Sequence, residues 1–277
     1  MPSKGKLSAL YFSPTGSAKK AAVAAAGAMA EKLGAAYKAI EYIDYTQKAN
    51  RDIEYRFSRG DIAVFAMPVY AGRIPNIILP ALKANVIGNA TYAVPICVYG
   101  NRSYGDALRE LILLLEQNGF LPISAAVMVS EHAFSDKIAK NRPDQADLAL
   151  LRAFAQRTAE KLIQGKAHAL DIDRKKEIEP YYTPLKAGGE RASFLKAKPV
   201  TDKSRCTRCG ICAAACPMQS IRKAEPCIVE GICIKCQACI KCCPNKAKHF
   251  DDADFLSHVK MLENNYAKPN DSLFMEN

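Results

Sequence analysis

The chain has 277 residues, 49% of them hydrophobic, enough for one medium-sized core and a second, smaller one. Its net charge of +11 would suit a polyanion, but no nucleic-acid recognition motif and no tryptophan accompany it, so no nucleic-acid partner is expected. The opening MPSKGKLSALYFSPTGS holds an apolar stretch too short for a signal peptide, and the Ala-rich run 21–28 is far short of a membrane span. The expectation is a cytoplasmic chain with no membrane span.

In chain order, Lys6–Phe12 reads as a buried strand and Gly16–Leu33 as an Ala-rich helix closed by Gly34. Ala36–Ile43 is a second strand, Asp61–Met67 a third ending at Pro68, and Pro75–Ala84 a short helix. Thr91–Tyr99 is a fourth strand. Tyr104–Asn118 is a helix with Leu108, Leu111, Ile112 and Leu115 on one stripe. Leu121–Val129 is a fifth strand and Gln145–Gln164 a helix. Five apolar strands alternating with helices predict a parallel, doubly wound α/β sheet over residues 1–167. Residues 168–197 carry charged runs, Pro180, Pro184 and Gly188-Gly189, and read as a linker that packs against both neighbours. A small unit follows at 198–250. The tail 251–277 holds a predicted helix at Asp252–Asn265, whose acidic character suits packing on the basic unit.

The small unit carries eight cysteines in two matching runs. Cys206, Cys209, Cys212 and Cys216 precede Pro217, and Cys233, Cys236, Cys239 and Cys243 precede Pro244. Each run is C-x2-C-x2-C-x3-C-P, the bacterial-type spacing for a [4Fe–4S] cluster, in which the fourth cysteine ligates the other cluster. The assignment is therefore crossed: Cys206, Cys209, Cys212 and Cys243 hold one cluster, and Cys233, Cys236, Cys239 and Cys216 the other. Zinc sites use two cysteine pairs with a longer spacer, and a disulfide framework needs an oxidising compartment. The offset from Cys206 to Cys233 marks an internal duplication of about 27 residues. Of the remaining cysteines, Cys97 lies in an apolar run and reads as a core thiol. Cys242 offers an alternative register with Cys239, and Cys227 receives no role. Residues 183–250 hold 13 Lys+Arg against 4 Asp+Glu, so the basic excess is densest here. It offsets the negative charge of thiolate-ligated clusters; the sharper reading is a docking patch for an acidic redox partner.

The first strand runs through Ser13-Pro14-Thr15-Gly16-Ser17-Ala18 straight into a helix. Backbone N–H groups and the positive end of the helix dipole make that turn a phosphate site, with the hydroxyls of Ser13, Thr15 and Ser17 as further donors. The alternative is an ordinary helix start. Neither a Walker loop nor G-x-G-x-x-G is present. Two further loops, Pro68-Val69-Tyr70-Ala71-Gly72-Arg73 and Tyr99-Gly100-Asn101-Arg102-Ser103-Tyr104-Gly105-Asp106, leave the third and fourth strands at the edge where open α/β sheets bind ligands. Tyrosines and glycines there can stack on a flat ring, although Tyr70 and Tyr104 also read as plain surface tyrosines. His132 reads as a solvated loop residue and Asp106 as a helix-start acid.

On these motifs the chain resembles the flavodoxin–ferredoxin fusion proteins of anaerobic bacteria and archaea. Residues 4–165 are similar to flavodoxin and 198–250 to a two-cluster bacterial ferredoxin. The resemblance implies a five-stranded parallel sheet of order 2-1-3-4-5 joined to an α+β ferredoxin unit. It implies FMN, its phosphate on Ser13, Thr15, Gly16, Ser17 and Ala18. Its ring would lie beside Pro68, Tyr70, Ala71 and Gly72 and beneath Tyr99, Gly100, Asn101, Arg102, Tyr104 and Gly105. Ala18 departs from the family's final threonine and removes one hydroxyl. The expected function is electron transfer between an external donor or acceptor, such as a ferredoxin or reductase, the two clusters and FMN. An FMN-dependent reductase of a small substrate or quinone, and a redox sensor with structural clusters, are the alternatives. A homodimer that brings cluster and flavin together is a further expectation.

Overall fold

The computed structural model describes residues 5–277; the first residues of the predicted 1–167 unit lie outside them. Five strands, β1 (Leu7–Tyr11), β2 (Ile40–Asp44), β3 (Ile62–Pro68), β4 (Thr91–Tyr99) and β5 (Ser124–Val129), form a parallel sheet in the order 2-1-3-4-5. That is the flavodoxin-like order. β3 reads IAVFAMP and all but its last residue is buried, as expected of a central parallel strand covered on both faces. Helices α1 (Ser17–Leu33) and α4 (Gln145–Ile163) cover one face, and α2 (Leu79–Asn85) and α3 (Ala107–Gln117) the other. Nine buried residues of α1, eight of them alanine, bring its backbone close to the sheet. The stripe of Leu108, Leu111, Ile112 and Leu115 on α3 is buried.

Three boundaries differ from expectation. Gly34, at φ 90°, turns the chain into a single 3-10 turn at Ala35–Tyr37, and β2 starts only at Ile40. Pro75 opens a turn in which the Ile78 N–H donates to its carbonyl, so α2 starts at Leu79. The fifth strand is broken at Ile123. Phe120 pairs with Thr91 but Ala126 with Ile96, a slip of one residue that leaves a bulge beside Pro122, which cannot donate to the ladder.

The sheet also has a sixth strand that the sequence did not announce. β6 (Leu273–Glu276), from the C-terminal tail, pairs antiparallel with β5 and covers its open edge. The small unit holds two one-turn helices, Ile211–Ala214 and Ala238–Lys241, and a short antiparallel pair, Val200–Thr201 with Lys248–His249. Helix α5 (Ala253–Asn265) lies against it through aromatic rings rather than charge. Phe255 stacks on Phe250 at 4.3 Å and meets Phe194 edge-on at 5.4 Å. The acidic Asp254 of α5 pairs instead with Lys186 at 2.7 Å.

Residues 166–199 run as an extended strap. Arg174 pairs with Glu116 on α3 at 2.7 Å, and the Glu179 N–H donates to Asp106 at 2.8 Å. The strap then crosses the loop after β3. Tyr181 donates to the Ile74 carbonyl at 2.7 Å, and the Tyr182 N–H to the Ala71 carbonyl at 2.9 Å. Among the described residues no helix is long and apolar enough to cross a membrane.

Candidate functional site

The eight cysteines of the two runs line two pockets, four to each. Cys216, Cys233, Cys236 and Cys239 line one, and Cys206, Cys209, Cys212 and Cys243 the other. Cys242 lines neither, and Cys227 places its sulfur 3.8 Å from that of Cys206. The backbone shows the duplication directly. Left-handed Arg208, Gly210 and Gln219 recur 27 positions later as Lys235, Gln237 and Lys246. Each lies on the turn that wraps its cysteines, where the chain must reverse hand. The two Cys-Pro cysteines are treated alike: the Ser220 N–H donates to Cys216 at 3.4 Å, and the Ala247 N–H to Cys243 at 3.3 Å. Burial pushes the Cys236 thiol up to about 12 and also raises Cys233, Cys239 and Cys212. Cys243 alone of these is held low, because backbone N–H groups led by Ala247 outweigh its burial. Buried thiols that resist ionisation become thiolates when a cation supplies the counter-charge, so the donor set fits iron. Cys97 is fully buried in the sheet, and burial raises its thiol.

At the flavodoxin-like edge, Gly16 precedes α1 at φ 93° with open space around it, so conformation rather than crowding selects glycine. Ser13 accepts from the Lys19 N–H at 2.9 Å, while its own N–H donates to Thr46 at 2.8 Å. Ser17 accepts from Ser130, after β5, at 2.9 Å. Thr15 and Gly16 are exposed, and Ala18 is buried against the core. Gly16 has no side chain to cap the helix start; Ser13 takes the Lys19 N–H, which leaves the Ser17 and Ala18 N–H groups for an anion. These residues fit a phosphate.

The small unit sits on the same edge. Buried Arg51, in the single turn Lys48–Arg51 beyond β2, donates to the Pro217 carbonyl at 2.7 Å, next to Cys216. In the loop after β3, burial together with the neighbouring Cys236 and Cys233 pushes the Tyr70 phenol well above its ordinary value. Beyond β5, Glu131 pairs with Lys241 at 2.7 Å; burial raises its carboxyl, but Lys241 and the Asn141 N–H outweigh this and hold it low. Since β1 lies between β2 and β3, Arg51 and Tyr70 flank the loop Ser13–Ala18, and Glu131 lies farther along the sheet, beyond β5.

The other predicted loop residues are engaged differently. Ala71 and Gly72 form a tight turn with positive φ that joins Tyr70 to Arg73, and Arg73 grips buried Glu110 at 2.5 Å. A Cβ on Gly105 would lie 2.6 Å from the Gly72 carbonyl, so the two loops touch backbone to backbone. Tyr104 packs edge-on against buried Tyr99, and both Tyr104 and Gly105 line a surface pocket shared with the strap and β6. Arg102 stacks on strap residue Tyr182 at 3.8 Å. The side chain of Asn101 is fully buried and bound to Tyr266, Lys268 and Asn270 of the tail. Pro68 ends β3, and Gly100 packs under His132, whose Cδ2 would lie 2.7 Å from an added Cβ.

His132 is therefore not the solvated loop residue expected. Burial first, then His258 and Arg102, lower it to about 4, and its Nδ1 accepts from the Phe134 N–H at 3.1 Å. Asp106 is held low by the Glu179 N–H and Arg109 despite its burial. Sequence reasoning missed Arg51 and Glu131: neither lies in a motif, and each acquires its partner only through the fold.

Residues 199–222 match a family model described as a 4Fe-4S binding domain, which implies at least one such cluster. No curated protein matches in sequence. Among solved structures, a flavodoxin from the domain Archaea is 13% identical with a TM-score of 0.37, covering 57% of this chain and 99% of its own. A Streptococcus pneumoniae flavodoxin is 15% identical with a TM-score of 0.38, covering 56% of this chain and 99% of its own. The rubredoxin oxygen:oxidoreductase of Desulfovibrio gigas is 18% identical with a TM-score of 0.35, covering 60% of this chain and 37% of its own. The flavodoxin-like assignment rests on the strand order itself. The chain joins a flavodoxin-like layer to a 4Fe-4S binding segment.

Proposed function

We propose that this chain is an iron–sulfur flavoprotein that moves electrons between an external carrier, two [4Fe–4S] clusters and FMN. Bound FMN supplies a centre that takes two electrons and passes them singly, and each cluster supplies a one-electron centre. The protein's part is positioning. Ser13, Thr15, Gly16, Ser17 and Ala18 hold the phosphate by backbone N–H groups, hydroxyls and helix dipole. Tyr70, Pro68 and Gly100 flank the ring, while Ala71, Gly72, Tyr99, Asn101, Arg102, Tyr104 and Gly105 support the loops that carry it. Cys216, Cys233, Cys236 and Cys239 hold the flavin-side cluster, and Cys206, Cys209, Cys212 and Cys243 the other. The units 1–167, 168–197, 198–250 and 251–277 act as flavin domain, strap, cluster domain and tie.

The observation that carries this reading is the seating of the cysteine turns on the flavodoxin-like layer: Arg51, beyond β2, donates to the Pro217 carbonyl at 2.7 Å, and Ile234, between Cys233 and Cys236, packs against the core of the sheet. On this reading cluster and flavin meet within one chain. The test is anaerobic purification with iron and flavin quantified, followed by rapid reduction. About eight irons, one FMN, and flavin reduction by the clusters in the same molecule are expected. Iron without flavin, or reduced clusters that leave bound flavin oxidised, overturns it.

A further inference from the structure

The two cysteine pockets are unequal in their surroundings. Around the one with Cys233, Phe250, Phe194 and Phe255 pack against Cys233, and Ile234 packs onto the core of the flavodoxin-like layer. The other opens outward: Cys209 is the exposed member of the two runs, and neighbouring Ile211 is 45% exposed. Cys209, Gly210, Ile211, Ala213 and Ala214 form a shallow surface hollow with Lys223. The Asp202 N–H donates to the Ala247 carbonyl, and Asn245 donates to Thr207 at 3.3 Å, which brings the chain at Lys203 and Arg208 close to that at Lys246. Lys203, Arg208, Lys223 and Lys246 are exposed, and among the described residues none pairs with a carboxylate. Of the nearby carboxylates, Arg222 takes both Glu225 and Glu230, and Asp202 accepts from the Ser204 N–H and hydroxyl. An apolar centre at a redox site, ringed by unneutralised cations, is complementary to a protein with an acidic rim around its own redox centre.

We propose that the face around Cys209 and Ile211 is the electron port of the molecule, and that it docks an acidic one-electron carrier protein. This rests on the wire reading above and gives the wire a direction in space. The pocket of Cys206, Cys209, Cys212 and Cys243 is the outer station, and that of Cys216, Cys233, Cys236 and Cys239 the inner one beside the flavin loops. One electron leaves the reduced carrier, which is oxidised by one, and enters the outer station. Two such transfers, with protons from solvent, reduce one flavin by two electrons.

The test uses the full-length holoprotein under anaerobic conditions, with a photoreduced acidic two-cluster ferredoxin as probe. The second-order rate of cluster reduction should fall steeply with ionic strength. Double charge reversal K203E/K223E, at exposed positions outside the turns that wrap the cysteines, should slow it about fivefold or more at low salt, and Ile211→Ser should slow it further. Reduction of K203E/K223E by dithionite, and the later first-order transfer to flavin, should be unchanged, because solvent screens exposed charges from the clusters. Arg152→Glu, exposed on α4, is the control and should match the wild type. In case a variant loses iron, hydrogen exchange of the wild-type protein with and without carrier gives a second readout: slowed exchange at 203–214 is expected. Carrier rates that ignore the double reversal, or protection only elsewhere, overturn the port. So does displacement of the carrier's footprint by DNA that itself binds this face more tightly. Failure of flavin reduction with normal carrier-to-cluster transfer would instead sink the wire and leave the port standing.

Discussion

Arg51 is a buried cation that makes no ion pair among the described residues; burial lowers its pKa, although neighbouring Asp52 offsets part of its charge. Its guanidinium donates to the Thr46 and Pro217 carbonyls, each at 2.7 Å, and more weakly to Tyr45. Thr46 in turn supports Ser13, so one side chain links the phosphate loop to the turn that carries Cys216. A buried charge is costly unless something of opposite sign lies nearby, and a thiolate-ligated cluster is such a charge. Arg51→Gln should lower the potential of the inner cluster, because reduction adds negative charge that the cation stabilises. It should also cost about 1–3 kcal/mol of stability from the lost charged hydrogen bonds. Arg51→Lys should restore most of the potential but not the stability. Redox titration followed by electron paramagnetic resonance, with chemical denaturation alongside, reads both; an unchanged potential in Arg51→Gln would refute the electrostatic role. His132 gives a pH signature. It is neutral when folded, lowered to about 4 from an ordinary 6.5, so between those values the unfolded chain binds more protons than the native one. Its contribution is fully present above pH 6.5 and is lost as pH falls toward 4, by at most about 3.5 kcal/mol at roughly 1.4 kcal/mol per pH unit. His132→Gln should flatten the stability slope across that window; the same slope in mutant and wild type would show that other groups set it.

At the level of elements, the decisive one is the turn into α1. A carboxylate at its first helical position would sit where the proposed function puts the FMN phosphate, and would repel it. Ser17→Asp should weaken FMN retention about tenfold or more while leaving iron content unchanged, read by flavin fluorescence after desalting and by iron analysis. That turn was legible in the sequence because a buried strand, a glycine and a helix follow one another without a gap. The five strands were legible for a similar reason, each being an apolar run bounded by turns, and the cysteine spacing is a local pattern. What stayed hidden depends on distant partners. β6 is a four-residue, partly exposed strand with no period to read, and only the open edge of β5 gives it a place. Arg51 looks like any helix-end arginine until Pro217, 166 residues on, arrives beside it. His132 reads as a solvated loop residue in the sequence because its cover, including Gly100, Arg102 and His258, comes from other segments.

Across the whole molecule, the strap, the cluster unit and the tail all close on one edge of one sheet. The tail is the most testable of the three. Asn101, left-handed at φ 64°, donates to the carbonyls of Tyr266 and Lys268 at 2.8 and 2.9 Å, and accepts from the Asn270 N–H at 2.7 Å. Beyond it Ser272 accepts from the Val129 N–H at 3.2 Å, and Glu276 pairs with Arg157 at 2.6 Å. Removing residues 267–277 deletes β6, exposes the ladder of β5 and strips the fourth-strand loop of its anchors. At about 0.5–1.5 kcal/mol per net hydrogen bond, the loss should be about 2–5 kcal/mol, with a bare strand edge prone to self-association. Hydrogen exchange should accelerate at 99–102 and 124–129, while iron content stays constant because the deleted residues lie outside both cysteine pockets. If exchange at 99–102 were unchanged, Asn101 would hold its strained conformation without the tail, and the loop would be pre-formed by the sheet alone. Accelerated exchange together with weaker flavin retention would mean that the last strand of the chain completes the site begun by the first.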